Sequence, residues 1–179
     1  VAIMFTDIAG STAFTAQHGD EESHRMVTAH NAIVREALRK FQGHEVKHTG
    51  DGIMAAFKDS AKSVQSAVAM MRGFEYYNTT AKHPFGVRIS INLGEAVDEK
   101  GDYFGAAVQL SARINGITDA EQILVSDSIR DNAKGQAVFV DCGAHEFKGF
   151  SDPIRVYEVP WRADGRVSSR AAQMQKAAS

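Results

Sequence analysis

The sequence predicts an α+β sandwich, a mainly antiparallel sheet with helices packed against it, and three observations carry that prediction. Short apolar or alternating runs recur along the chain and read as strands. Two longer segments carry helical spacing instead. Several strand pairs are joined by short turns rather than by a helix each time, which disfavours a regularly alternating doubly wound sheet.

The opening run, Val1 to Phe5, reads as a buried strand without a polar leader, so the chain is expected to be a domain excised from a longer protein. A polar turn is expected from Asp7 to Thr12. From about Asp20 to Phe41 the apolar residues Met26, Ala29, Ile33, Ala37 and Phe41 recur at helical spacing, while Arg25, Arg35, Glu36 and Lys40 fall largely elsewhere. Gly43 is placed to stop that helix. His44–Lys47 and Ile53–Phe57 then flank the tight turn His48 to Gly52, as a hairpin requires. Asp59 and Ser60 can cap a second helix whose stripe is Val64, Val68, Met71 and Phe74, running to about Tyr77. Phe85–Val97 alternates as a half-buried strand and ends in a charged turn, Asp98–Asp102. Gly105–Gly116 is a short helix, Ile123–Val125 a strand, Ser126 or Asp127 the cap of a small helix, and Val138–Cys142 and Ile154–Val159 the last strands. From Trp161 on, Arg, Ala, Ser and Gln dominate. The chain therefore divides into a domain of residues 1–160 and a tail of 161–179, partly disordered or loosely helical.

A chain of 179 residues sustains one core. Its formal net charge of -2 argues against gripping nucleic acid through overall charge, so any phosphate site must be local. Cys142 is the only cysteine, which excludes an intrachain disulfide and a cysteine-rich metal site and suits a cytoplasmic setting. No apolar run reaches the roughly 18 residues that a membrane span needs, so no membrane contact is expected of this segment. Regulatory or anchoring parts would lie outside it.

Asp7 lies just past a hydrophobic strand and Asp51 lies in a glycine-flanked turn between two others, so both carboxylates can project from one edge of a sheet. Two carboxylates about 4 Å apart at an effective dielectric of about 20 repel by roughly 4 kcal/mol, and hard divalent cations relieve that repulsion. The bland alternative is that each aspartate caps a helix or a turn, places where aspartate is favoured. Gln109 and Arg113 are one helical turn apart and share a face, where an amide and a guanidinium can act together. None of the seven histidines makes a metal-ligand spacing, and His48 reads as a turn residue.

Longer words surround these residues. Phe5-Thr6-Asp7-Ile8-Ala9-Gly10-Ser11-Thr12 and Lys47-His48-Thr49-Gly50-Asp51-Gly52-Ile53-Met54-Ala55-Ala56-Phe57 resemble the two metal-binding signatures of class III nucleotidyl cyclases. Gly101-Asp102-Tyr103-Phe104-Gly105-Ala106-Ala107-Val108-Gln109-Leu110-Ser111-Ala112-Arg113-Ile114 resembles the family's base-recognition and transition-state segment. Phe147-Lys148-Gly149-Phe150 resembles its late phosphate-binding turn. The resemblance covers about residues 1–160 in the expected order, and its first three stretches are far more specific than a lone glycine motif.

It implies a ferredoxin-like sandwich of the βαββαβ type and an adenylyl cyclase that converts ATP to 3',5'-cyclic AMP and pyrophosphate. By this resemblance Asp7, Asp51 and the backbone carbonyl of Ile8 hold two divalent cations, Mg2+ or Mn2+, for attack of the ribose 3'-hydroxyl on the α-phosphate. Lys47 and Asp102 match the pair that reads adenine, the lysine donating to N1 and the aspartate accepting from the N6 amino group. Guanylyl members generally put an acid at the lysine position, so the pair leans towards ATP. Gln109 would orient the ribose, Arg113 would neutralise charge growing on the phosphate, and Lys148 would contact the β- or γ-phosphate. The resemblance further implies a head-to-tail homodimer, with the metal aspartates from one chain and the base-reading, amide and arginine residues from its partner.

One departure bears on activity: most active members have asparagine at the position of Gln109, and a slower enzyme is expected. That departure supports the rival reading of a non-catalytic nucleotide-binding cyclase-homology module; guanylyl cyclase activity is the other alternative. A haloacid-dehalogenase-type phosphatase fits poorly, because Ala9 stands where that family wants a second acid.

Overall fold

The computed structural model describes residues 1–95, 97–100 and 102–168. Its first strand, β1 (Ala2–Ile8), lies antiparallel between two later strands, β3 (Gly52–Phe57) and β4 (Val87–Leu93). Period-two alternation along β1 sends Ala2, Met4 and Ile8 into the larger core and Ile3 and Phe5 to the opposite face.

The polar turn expected up to Thr12 ends sooner. Gly10 takes a left-handed conformation (φ 69°) and Ser11 opens α1 (Ser11–His18), a helix with no buried residue. No apolar stripe could announce such a helix. Gly19 separates it from α2 (Asp20–Lys40), where Asp20, Glu21 and Glu22 in the first turn and Arg39 and Lys40 in the last complement the helix dipole. The buried face of α2 is Met26, His30, Asn31, Val34, Ala37 and Leu38. Ala29, Ile33 and Phe41, expected inside, instead pack half-buried at its rim. Two polar residues, His30 and Asn31, are therefore buried beside positions that the pattern assigned to the apolar face.

β2 (His44–His48) and β3 form the expected hairpin. Asp59 caps α3 (Ser60–Asn78) by accepting the Lys62 amide at 3.1 Å. The chain then returns as β4 beside β1, so β1-α2-β2-β3-α3-β4 builds the order β2-β3-β1-β4. This is the βαββαβ unit that the resemblance implies.

The strand expected over Phe85–Val97 stops at Leu93. A Cβ on Gly94 would come within 2.8 Å of the Ala107 Cβ, so the chain leaves the sheet where the next helix crosses it. The segment expected as a charged turn forms instead a two-stranded ribbon, β5 (Val97–Glu99) and β6 (Asp102–Phe104), with Glu99 paired to Asp102. Helix α4 (Ala106–Ile117) follows, then β7 (Ile123–Ser126), α5 (Asp127–Asn132), β8 (Val140–His145) and β9 (Ile154–Glu158). The described strands outside the ribbon form one sheet, β2-β3-β1-β4-β7-β9-β8, in which only β4 with β7 is parallel.

Helices α2 and α3 cover one face, burying Met26, Val34, Leu38, Val64, Met70 and Phe74 against Met4, Ile89 and Ile91. On the other face Leu110 and Ile114 of α4 pack with Leu124, Cys142 and Val156. Burial pushes the Cys142 thiol up to about 12, so it stays protonated and inert at neutral pH. After β9 the chain keeps contact with the domain: Trp161 is buried, its Nε1 donates to the Glu121 carbonyl at 2.8 Å, and the Ser168 amide donates to Glu158 Oε2 at 2.8 Å. The rest of the expected tail, 169–179, lies outside the described residues. Among the described residues no helix is long and apolar enough to cross a membrane.

Candidate active site

The hairpin and β1 bring Asp7 and Asp51 together. Asp7, near the end of β1, pairs with Gly52 on one side and Arg88 on the other. Asp51 sits in the β2–β3 turn, and its carbonyl accepts the Ile8 amide at 3.1 Å, which fastens the hairpin tip to the end of β1. Gly52 is required there, because a Cβ on it would lie 1.9 Å from the Thr6 carbonyl oxygen. The Ile8 side chain is buried in the core, so Ile8 meets the site only through its backbone.

Burial, then hydrogen bonding with the Asp51 carboxyl and its charge, push Asp7 up to about 6, against the pull of the Arg88 guanidinium. Arg88 Nη2 lies 3.3 Å from Asp7 Oδ2. The Ser11 hydroxyl donates to Asp51 Oδ2 from the first turn of α1. Two carboxyls so close that one binds a proton more tightly than usual make a hard-oxygen pair in which a divalent cation can take the proton's place. No group of three or more His, Cys, Asp or Glu residues suited to a metal ion occurs among the described residues, and the donors that Asp7 and Asp51 offer are hard oxygens.

A second cluster forms where the β5–β6 ribbon meets β2. Lys47 Nζ is 2.8 Å from Asp102 Oδ2 and 5.8 Å from the centre of the Phe104 ring. The hydrogen bond from Lys47 holds the Asp102 carboxyl below its ordinary range, helped by the Tyr103 amide. Both side chains remain partly open to solvent, at 46% and 29%. The structure thus joins the two residues the resemblance assigned to one purine.

Gln109 and Arg113 do share a face of α4, but it is the exposed one; Ala107, Leu110, Ser111 and Ile114 face inward. Ser111 Oγ donates to the Ile3 carbonyl at 2.8 Å, so the buried side of α4 sits on β1 and its exposed side points away from that chain's own sheet. Lys148 is exposed in the turn between β8 and β9, anchored by buried Phe147 and closed by the Phe150 amide donating to the Phe147 carbonyl at 3.1 Å. His48 ends β2 and faces Glu45 at 3.3 Å rather than lying in the turn proper.

Sequence reasoning missed Arg88 and Ser11. Arg88 interrupts the apolar members of β4 on its other face, where a charged residue reads as ordinary solvent-facing alternation. Among the described residues its Nε is buried without a hydrogen-bond partner, a signal visible only in three dimensions.

Residues 1–159 match the family model described as adenylate and guanylate cyclase catalytic domain, and the chain belongs to this family. A Rhizobium meliloti (strain 1021) protein, named by inference adenylate cyclase 3, is 29% identical over 161 residues, covering 87% of this chain and 27% of the relative. The chain thus spans about a quarter of that relative's length. A solved adenylate/guanylate cyclase/hydrolase from Silicibacter pomeroyi is 29% identical with a TM-score of 0.80, covering 88% of this chain and 94% of that one. Solved adenylate cyclases from Trypanosoma brucei in their monomeric state share the fold at a TM-score of 0.78 and 22% identity, over 89% of both chains.

Proposed function

We propose that this domain is an adenylyl cyclase, converting ATP to 3',5'-cyclic AMP and pyrophosphate in the cytoplasm at sites shared by two head-to-tail copies. The observation that carries the reading is the juxtaposition of Asp7 and Asp51 at the end of β1, with Arg88 and Ser11 around them.

Asp7, Asp51 and the Ile8 carbonyl would hold two divalent cations, Mg2+ or Mn2+, which when bound supply Lewis-acid activation of the ribose 3'-hydroxyl and neutralise the triphosphate. Ser11, by donating to Asp51, keeps that carboxylate turned towards the pair. Arg88 brings a cation beside Asp7, suited to polyphosphate oxygens. Lys47 and Asp102 offer a donor and an acceptor side by side, which matches N1 and the N6 amino group of adenine. Guanine presents the reverse pattern and leaves both groups opposed. The outward placement of Gln109 and Arg113 supports their service to a second copy, where the amide orients the ribose and the guanidinium stabilises charge on the α-phosphate in the transition state. Lys148 contributes a compact charge to the β- or γ-phosphate.

The test is turnover of ATP with Mn2+ by the domain and by Asp51→Ala. Cyclic AMP is expected from the first, with a loss of about a thousandfold or more in the second. Undiminished production by the variant refutes the metal assignment, and none by either protein favours the non-catalytic nucleotide-binding module.

A further inference from the structure

His30 is wholly buried on α2, on the sheet face opposite Asp7, yet it is hydrogen bonded to the strand that carries that acid. Its Nε2 lies 3.0 Å from Thr6 Oγ1, its Nδ1 lies 2.9 Å from Asn31 Oδ1, and its ring stacks on Phe74 at 5.7 Å with the planes 9° apart. Thr6 Oγ1 also accepts the Ile53 amide at 3.0 Å. Thr6 immediately precedes Asp7, and Ile53 follows Asp51 by two residues.

One proton arrangement gives this buried pocket its shortest hydrogen bonds. With the amide oxygen of Asn31 facing Nδ1, that nitrogen carries the ring proton, and Nε2 accepts from the Thr6 hydroxyl. The hydroxyl oxygen in turn takes the Ile53 amide. A second ring proton would turn the Thr6 hydroxyl away from Nε2 to its remaining acceptor, the Ile53 carbonyl at 3.5 Å, exchanging a short hydrogen bond for a long one. Burial is the main cause that holds the ring neutral, with Asn31 and Asp51 opposing it and His48 and Arg35 reinforcing it.

We infer that His30 is a positioning residue for the Asp7–Asp51 pair: as a neutral imidazole it fixes the Thr6 hydroxyl and, through it, the Ile53 amide, setting the spacing of the two strands that deliver the acids. The strands leave little slack at this level, since the Thr6 carbonyl already closes on Gly52. The effect on turnover rests on the proposed cyclase function and the effect on cation affinity on its metal assignment to Asp7 and Asp51; the tautomer of His30 rests on neither.

Two measurements test it. Nitrogen-15 NMR of the metal-free domain at about pH 7 is expected to show His30 as the neutral Nδ1–H tautomer, and a cationic ring or the Nε2–H tautomer overturns the inference. His30→Phe keeps an aromatic ring beside Phe74 but removes both ring nitrogens, whereas His30→Gln restores an amide oxygen that can accept from Thr6. With Mn2+ affinity read by electron paramagnetic resonance and fold checked by circular dichroism, His30→Phe is expected to weaken Mn2+ binding about tenfold. It is also expected to lower kcat about tenfold while KM for ATP at saturating Mn2+ changes less than about threefold, and His30→Gln is expected to recover most of both losses. A folded His30→Phe with wild-type Mn2+ affinity sinks the proposal. Should that variant not fold, Thr6→Val removes the same hydroxyl at nearly equal volume and is expected to show the same loss; unchanged Mn2+ binding there has the same overturning force. A wild-type domain that binds Mn2+ but makes no cyclic AMP contradicts the cyclase reading alone, and the tautomer and Mn2+ affinities still decide the role of His30.

Discussion

At Asp7 burial and the neighbouring Asp51 favour the protonated acid, Arg88 favours the carboxylate, and the first two win. The sign of the consequence is fixed by linkage. The folded state binds this proton more tightly than the unfolded chain, so the stability it contributes is fully present below about pH 3.8 and is lost as pH rises through about 6. The loss is at most about 3 kcal/mol. Metal-free urea unfolding is expected to show the wild type losing stability between those values relative to Asp7→Asn; parallel curves for the two proteins contradict the shared-proton pair. A second prediction at this scale concerns the base. Lys47→Glu with Asp102→Cys is expected to shift selectivity from ATP towards GTP by about a hundredfold or more, measured as the ratio of kcat/KM values, because a donor and an acceptor are exchanged rather than a pocket resized. An unchanged ratio removes Lys47 and Asp102 as purine readers.

The site depends on how three elements meet. The β2–β3 hairpin carries Asp51, β1 carries Asp7, and Gly52 is the point of closest approach, with room for hydrogen alone against the Thr6 carbonyl. Gly52→Ala is expected to lower stability by roughly 1–3 kcal/mol, seen as a fall of about 3–10 °C in Tm, with weakened Mn2+ binding. A variant of unaltered Tm and metal affinity shows that the strands are not in this register. Helices α2 and α3 were legible from spacing and caps, because an amphipathic stripe repeats locally. Helix α1 was not, since it buries nothing and so carries no stripe. Nor was the β5–β6 ribbon, whose charged residues read as a turn although Asp102 is drawn into a strand and then onto Lys47. Asp7 and Asp51 stood out through turn chemistry and the words around them. Their companions did not: Arg88 looks like an outward strand residue, and His30 like a break in an apolar face, until the hydrogen bonds are known. Which strands pair over long separations, as β4 with β7, is likewise invisible to a local pattern.

At the scale of the whole molecule the placement of α4 dominates. Its inner face is committed to its own sheet, leaving Gln109 and Arg113 pointing outward, while the carboxylates and Arg88 gather at the end of β1. Under the proposed function a single copy would hold two half-sites, and a two-fold arrangement of copies would supply each with the other. Complementation tests this most directly: Asp51→Ala and Arg113→Ala, each inactive alone, are mixed in equal amounts and assayed for cyclic AMP. Random exchange puts half of the dimers in mixed form with one intact site of two, so recovery of about a quarter of wild-type turnover is expected. No recovery from a mixture that demonstrably exchanges subunits contradicts the account.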